Sequence, residues 1–302
     1  MKVFAAAAAI QNARPYQEDA HRLILPKGSA RRVIAIVADG MGGGGHGDVA
    51  SAIIADTVAE RLTAAPATPD TLRSAADAAN QAIAAQKAAD PALKGMGATL
   101  IAAVIEDGTL TFCAVGDSLL YRIRDGELHA LNEKHKAAIQ ADLAALSGTT
   151  RWADAMGLRA RESAINSAIA GVRIPHMQAA ARPVLPGDLY IIASDGVAAI
   201  DPDLLRRVVE AGAAKSLSTT AAKVLEAVEQ TSALGDGNGD NATIILLRCE
   251  GAAKETVVAT QISPRDTAAP ERPSKTPLVI ALLLGALVGA GAAFGIGALL
   301  PF

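Results

Sequence analysis

Val33-Ile-Ala-Ile-Val-Ala38 runs straight into Asp39-Gly-Met-Gly-Gly-Gly-Gly-His46, and Gly47-Asp48-Val-Ala-Ser51 follows. Six apolar residues rich in β-branched types read as a buried strand, with Asp39 standing at its end. Four successive glycines let backbone pass close to whatever is bound there. Asp48 then opens a helical pattern, with Val49, Ala52 and Ile53 on one face and Asp56 and Glu60 on another. An acid at a strand end beside a glycine turn suits an oxygen-loving cation or a phosphate, but Asp-Gly is also ordinary turn chemistry. The other acidic stretches of the chain decide between the two.

Before this stretch, residues 3–10 read as a first strand leading into Arg14-Pro-Tyr-Gln-Glu18-Asp19-Ala20, and a second strand covers 21–25. After it come two long helices. The second starts near Thr68, with Pro69 in its first turn and Asp70 complementing the helix dipole, and stops before Pro91. Ala98–Glu106 and Thr109–Val115 flank Asp107-Gly108, while Ser118–Arg124 and Glu127–Leu131 flank Asp125-Gly126. Asp-Gly between apolar runs is the strongest short-range hairpin signal. Lys136–Leu146 reads as a helix and 147–161 as a polar segment. Pro186-Gly-Asp188 turns into a strand over Leu189–Ala193, which meets Ser194-Asp195-Gly196. Asp201-Pro202 caps a helix ending at Gly212, another helix covers 217–232, and Ala242–Cys249 is a last strand. Hairpins with helix pairs between them imply an α+β fold of stacked layers, not a parallel βαβ sheet.

Apolar residues make up 51% of the 302, enough for a substantial core. A net charge of −3 gives no reason to expect a nucleic-acid partner. Cys113 and Cys249 stand alone in apolar runs, in neither a disulfide framework nor a zinc spacing. They read as reduced core residues of a cytosolic domain. Met1–Ile10 has the apolar look of a signal peptide, yet its basic region is a single Lys and no secretion is expected.

Four acidic sites share one grammar: Glu18-Asp19, Asp39-Gly40, Asp195-Gly196 and Gly239-Asp240-Asn241. Each lies where an apolar run meets a turn. If strands of two sheets end at one edge, these carboxylates converge. Clustered carboxylates repel one another, and burying them is costly unless protons or cations intervene. Oxygen-only ligands with no His or Cys in the set favour Mg²⁺ or Mn²⁺ over Zn²⁺.

These stretches resemble the metal-dependent protein phosphatases, the type 2C family, in its bacterial branch. Arg14-x-x-x-Glu18-Asp19-Ala20 looks like the family's first motif, and Val37-Ala-Asp39-Gly-Met-Gly-Gly43 with Gly47-Asp48-Val-Ala-Ser51 like its second. Gly97-Ala-Thr-Leu100, Ala114-Val-Gly-Asp117-Ser118 with Tyr121, Ile192-Ala-Ser-Asp195-Gly196 and Gly239-Asp-Asn-Ala-Thr243 follow in family order. The resemblance covers residues 3–249 and implies an antiparallel β-sandwich flanked by helix pairs, four layers αββα, in a catalytic domain over 1–250.

By that resemblance, Asp39 bridges two Mn²⁺ or Mg²⁺ ions and the Gly40 carbonyl holds the first. Asp195 and Asp240 hold the second, while Glu18 and Asp19 act largely through water. Arg14 grips the substrate phosphate, and Asp117 with Asp195 matches a weaker third metal site. The implied activity is hydrolysis of phosphoserine and phosphothreonine proteins by a water nucleophile, with a cognate Ser/Thr kinase as counterpart. The residue types suit this chemistry independently. Arg captures a phosphate dianion through paired hydrogen bonds, and two cations ~3.5–4 Å apart acidify a bridging water. No Ser or Cys nucleophile with an oriented base is evident.

The chain departs from the family pattern at several positions. Gln17 replaces the usual Asn before the acidic pair, and Gly44 stands where bacterial relatives often have His, displaced here to His46. Leu119 and Ser167 each replace a familiar Arg. None of these is an expected metal ligand, so the departures bear on substrate docking and on a flap over 147–170. His46 reads as a loop residue near a helix start, not as a general acid.

Two other readings fail on spacing. A P-loop needs Gly-Lys-Ser/Thr, which the glycine run lacks. An EF-hand over Asp236-Gly-Asn-Gly-Asp240 would need Gly where Asn241 stands and Glu where Leu247 stands. The alternative of another class is a catalytically silent protein that binds phosphorylated partners. Its mark would be a lost metal carboxylate, and none is lost.

The C-terminal part is different in character. Residues 251–276 turn to Ala, Thr, Pro and single charges and read as a flexible linker. Pro277–Phe302 carries no charge, and Leu278–Leu300 is expected as one membrane-spanning helix. Its 23 residues would reach roughly 34 Å, against a hydrocarbon core of ~30 Å. Arg272 and Lys275 precede it, so the positive-inside bias puts the catalytic domain on the cytoplasmic face of the cell inner membrane.

Overall fold

The computed structural model describes residues 1–26, 32–42, 46–133, 167–235, 239–251 and 259–261. The chain divides into two compact units, Met1–Pro264 and Arg265–Phe302, and every described residue belongs to the first.

One sheet is built on β1 (Lys2–Ile10), which pairs along its full length antiparallel to β11 (Ala242–Glu250), from Lys2 opposite Glu250 to Ile10 opposite Ala242. Beyond β11 lie β10 (Leu189–Ala193), β7 (Leu119–Arg124) and β8 (Glu127–Ala130). The second sheet runs from β2 (Asp19–Ile24) through β3 (Val33–Met41), β5 (Leu100–Glu106) and β6 (Thr109–Val115) to β9 (Gln178–Pro183). A two-residue strand, β4 (Gly97–Ala98), pairs with the end of β3. Both expected hairpins form. Asp107 and Gly108 (φ 47° and 75°) and Asp125 and Gly126 (φ 54° and 78°) have the left-handed pairs that type I′ turns require.

The continuous apolar runs follow from burial on both faces. Along β3, Val33, Ala35 and Val37 point between the sheets, while Ile34, Ile36 and Ala38 point at α1 (Gly47–Ala64) and α2 (Pro69–Ala89). Along β1, Ala5 and Ala7 join the core between the sheets. Ala6 and Ala8 lie under α3 (Pro202–Ala213) and α4 (Leu217–Ala233). Small side chains there let the helices approach the sheet. Three apolar cores therefore separate four layers, α1–α2, sheet, sheet and α3–α4, as the α+β expectation required.

Three details differ from the sequence reading. Strand β3 does not end at Asp39 but continues to Met41, because β4 pairs with Gly40 and Met41. Strand β9 was not expected, since Gln-Ala-Ala-Ala-Arg-Pro lacks β-branched residues; it is an edge strand held by backbone pairing to β6. Within 251–276, expected as linker, β12 (Ala259–Gln261) adds a short parallel strand to the free edge of β1. The expected helix over Lys136–Leu146, most of the flap segment and the expected span Leu278–Leu300 lie outside the described residues. Among the described residues, no helix is long and apolar enough to cross a membrane.

Candidate active site

The acidic residues of the sequence reading meet at one edge of the sandwich. Register places Asp19 of β2 directly opposite Asp39 of β3. Asp39 is fixed on both sides of its backbone: its N–H donates to Thr99 Oγ1 (3.1 Å) and its carbonyl accepts from Thr99 N–H (2.9 Å). Thr99 Oγ1 in turn lies 2.7 Å from Ser118 Oγ, in buried surroundings. A Cβ on Gly40 would fall 2.2 Å from the Gly47 carbonyl oxygen and 2.3 Å from that of Glu18, so only glycine lets these three backbones close together.

Asp19 is held by the other sheet. Its Oδ2 accepts from Ser194 Oγ and from Thr243 Oγ1, both at 2.7 Å. Its Oδ1 is buried and accepts no hydrogen bond among the described residues. Burial pushes the Asp19 carboxyl up to about 7; the two hydroxyl bonds oppose this, and the charges of Asp195 and Asp240 add to it. Burial raises Asp39 well above the carboxylate range too, reinforced by the charges of Asp19, Asp195, Asp240 and Asp117.

The loop joining β1 to β2 is folded onto the turn before β11. Ala13 N–H donates to the Gly239 carbonyl (3.1 Å), and Asn12 Nδ2 to the Asp240 carbonyl (3.0 Å). Asn241 Nδ2 donates to the carbonyls of Gln11 (2.7 Å) and Tyr16 (3.0 Å), while its Oδ1 accepts from Glu18 N–H (2.8 Å). Arg14 reaches across this seam to Asp240 Oδ2 at 2.7 Å and remains half-exposed. Glu18 Oε1 accepts from Gly47 N–H (3.1 Å), so it satisfies an N-terminal donor of α1 that the residue before the helix, His46, leaves uncapped. Asp195 opens a short 3₁₀ turn after β10, where a Cβ on Gly196 would strike the Asn241 carbonyl oxygen at 2.0 Å. Asp117 is buried, 2% exposed, between β6 and β7.

All the expected residues thus belong to one edge: Arg14, Glu18, Asp19, Asp39, Gly40, Asp117, Asp195 and Asp240. The sequence reading missed the supporting residues Ser194, Thr243, Thr99 and Asn241. Ser194 and Asn241 adjoin Asp195 and Asp240 in sequence, which was a faint signal, whereas Thr99 and Thr243 adjoin no acid. Gln17, the departure from the usual Asn, keeps a structural role: its Nε2 donates to the Ile10 carbonyl and its Oε1 accepts from Asp19 N–H. Ser167, in place of a familiar Arg, bonds both backbone groups of His176. Cys113 and Cys249 are buried and their thiols are pushed up to about 12 by burial, as inert core residues should be.

Among the described residues, no three His, Cys, Asp or Glu side chains form a ready-made metal cage. The donor set nevertheless fits hard cations. Every candidate ligand is an oxygen, burial reinforced by like charges raises the carboxyls of Asp19 and Asp39, and a buried Asp19 oxygen accepts from no donor among the described residues. Arg14 on Asp240 and the two hydroxyls on Asp19 bring donors to this carboxylate edge.

The comparisons agree with this fold. Serine/threonine protein phosphatase PstP of Mycobacterium tuberculosis is 32% identical over 217 residues, 71% of this chain. The chain spans only 40% of that relative's length. Serine/threonine phosphatase stp of Listeria monocytogenes is 29% identical over 220 residues, 71% of this chain and 83% of the relative. The solved catalytic domain of PstP in complex with two manganese ions superposes with a TM-score of 0.66 at 25% identity, covering 82% of this chain and 99% of that one. The family description "Protein phosphatase 2C" matches residues 7–237, and the chain belongs to that family.

Proposed function

We propose that the chain is a metal-dependent serine/threonine phosphoprotein phosphatase that hydrolyses phosphate monoesters with a water nucleophile at a dinuclear Mn²⁺ or Mg²⁺ site. The observation that carries the reading is the convergence of Asp19, Asp39, Asp195 and Asp240 at one edge, with Arg14 on Asp240. Asp39, the Gly40 carbonyl, Asp195 and Asp240 would hold the two cations, with Glu18 and Asp19 around them, and Asp117 with Asp195 a weaker third. When bound, such a pair supplies Lewis-acid polarisation of the phosphoryl oxygens and a more acidic water.

The chain's own residues do the rest. Arg14 has N–H donors beyond the one on Asp240 and presents them to solvent, where they capture a phosphate dianion. Ser194 and Thr243 orient the Asp19 carboxylate, and Thr99 fixes the backbone that carries Asp39. Phosphoserine and phosphothreonine proteins are the proposed substrates, a Ser/Thr kinase the proposed counterpart. The uncharged segment Leu278–Leu300, preceded by Arg272 and Lys275, is proposed to anchor the enzyme on the cytoplasmic face of the inner membrane.

The test is Mn²⁺-dependent turnover of p-nitrophenyl phosphate and a phosphothreonine peptide. Asp39→Asn and Asp240→Asn should each remove nearly all of it and weaken Mn²⁺ binding in calorimetry, with the melting temperature little changed. Wild-type Mn²⁺ affinity in either variant would sink the metal assignment.

A further inference from the structure

Tyr16 sits two residues from Arg14 and is 65% exposed, the only large aromatic among the described residues left so open. Its backbone is far from free. Asn241 Nδ2 holds its carbonyl, Pro15 fixes φ just before it, and Gln11 Nε2 bonds the Arg14 carbonyl at 2.8 Å. The same short loop is tied to residues 239–241 by Ala13, Asn12, Arg14 and Glu18. All of these bonds use backbone groups or other side chains, so the fold asks nothing of the Tyr16 ring. A stray surface apolar residue would need no explanation. This one is an aromatic on a preorganised loop, beside the arginine that meets the phosphate.

Reach narrows what the ring can touch. Successive Cα atoms are ~3.8 Å apart, so the Cα atoms of Arg14 and Tyr16 are within about 7 Å. An extended peptide advances ~3.3–3.6 Å per residue. Both side chains extend beyond their Cα atoms, so a chain whose phosphate sits on Arg14 brings one of its first few flanking residues within reach of the ring. A small aryl phosphate has no such residue to offer. Tyrosine suits the task, since it offers a large amphipathic surface with few torsions to freeze.

We propose that Tyr16 is a substrate-positioning residue: its ring is the platform on which the peptide flanking the phosphorylated residue packs, giving the site a preference for phosphopeptides over small aryl phosphates. The proposal rests on the phosphatase reading above and adds a specificity determinant to it.

The experiment compares wild type, Tyr16→Ala and Tyr16→Phe in the full chain with Mn²⁺, on a phosphothreonine peptide and on p-nitrophenyl phosphate. Tyr16→Ala should raise KM for the peptide about tenfold at nearly constant kcat, the scale of one lost aromatic contact. KM for p-nitrophenyl phosphate should move less than about twofold, and Tyr16→Phe should keep most of the peptide KM. Equal losses on both substrates would mark Tyr16 as a loop-building residue and overturn the proposal, as would unchanged peptide kinetics. A wild-type chain that turns over neither substrate would overturn the phosphatase reading itself, and this proposal with it.

Discussion

Arg14 and Asp240 lie 226 positions apart in sequence and 2.7 Å apart in space. In the protein alone, the guanidinium neutralises a carboxylate proposed to hold a metal, which gives Arg14→Ala a two-sided signature. Losing a charge-assisted contact to phosphate costs on the order of 2–4 kcal/mol, roughly 30- to 1000-fold in kcat/KM. Asp240, relieved of Arg14, should bind Mn²⁺ as well as before or more tightly. Lower affinity together with lower activity would show that Arg14 serves the metal ligands and not the substrate. His46 is the opposite case. It precedes α1 with no capping bond from its side chain, and its carbonyl accepts from Ala50 N–H. His46→Ala should keep at least about a third of kcat, whereas a fall beyond ~100-fold would make it a general acid after all. At this scale the candidate ligands were legible because each acid abuts a strand and a turn. Their props were not: Ser194 and Thr243 meet Asp19 from 175 and 224 positions away, and no local pattern encodes that.

Between elements, one ion pair joins β7 to the turn before β10, and its arginine reaches on to an edge strand of the other sheet. Arg124, near the end of β7, donates from Nε and Nη2 to both oxygens of Asp188 at 2.6 Å, and from Nη2 to the Pro183 carbonyl of β9 (3.2 Å). The Asp188 side chain is fully buried and also accepts from Leu185 N–H and Tyr190 Oη. Burial alone would raise its carboxyl; the bonds from Arg124, Leu185 and Tyr190 outweigh that, and the carboxyl is held below its usual range. A lowered carboxyl contributes stability that is complete above the unfolded value of about 3.9 and lost as pH falls through the folded one. Arg124→Ala leaves the buried carboxylate short of its cation, at a cost of roughly 3 kcal/mol, or ~6–12 °C in Tm for a domain this size. The gap from wild type should be wide in melts at pH 7 and should narrow as pH falls below about 3.9 and through the lowered folded value. A gap that does not narrow in acid, or none at pH 7, would count against the tie. The elements themselves were mostly legible. Asp-Gly turns and proline-capped helices carry their own signals, while β9 and β12 are edge strands made by backbone pairing, to which their side chains contribute no pattern.

For the whole chain, the compact unit ends at Pro264 because β12 completes the edge of β1, so a catalytic fragment should be cut there and not after Glu250. Three backbone-paired residues at about 0.5–1.5 kcal/mol per hydrogen bond are enough to shift a melting curve. The proposed anchor lies beyond, in Leu278–Leu300, where a soluble helix would show a polar face and this sequence has none. On that topology the intact chain should pellet with membranes and resist carbonate extraction. Residues 1–264 should stay in solution with unchanged kcat on p-nitrophenyl phosphate, because none of the proposed ligands lies past Asp240. Protease added outside intact cells should leave the catalytic unit whole, and the same protease should cut the chain once the membrane is opened. Intact protein in the soluble fraction would remove the anchor, and cleavage of the catalytic unit from outside would invert its orientation.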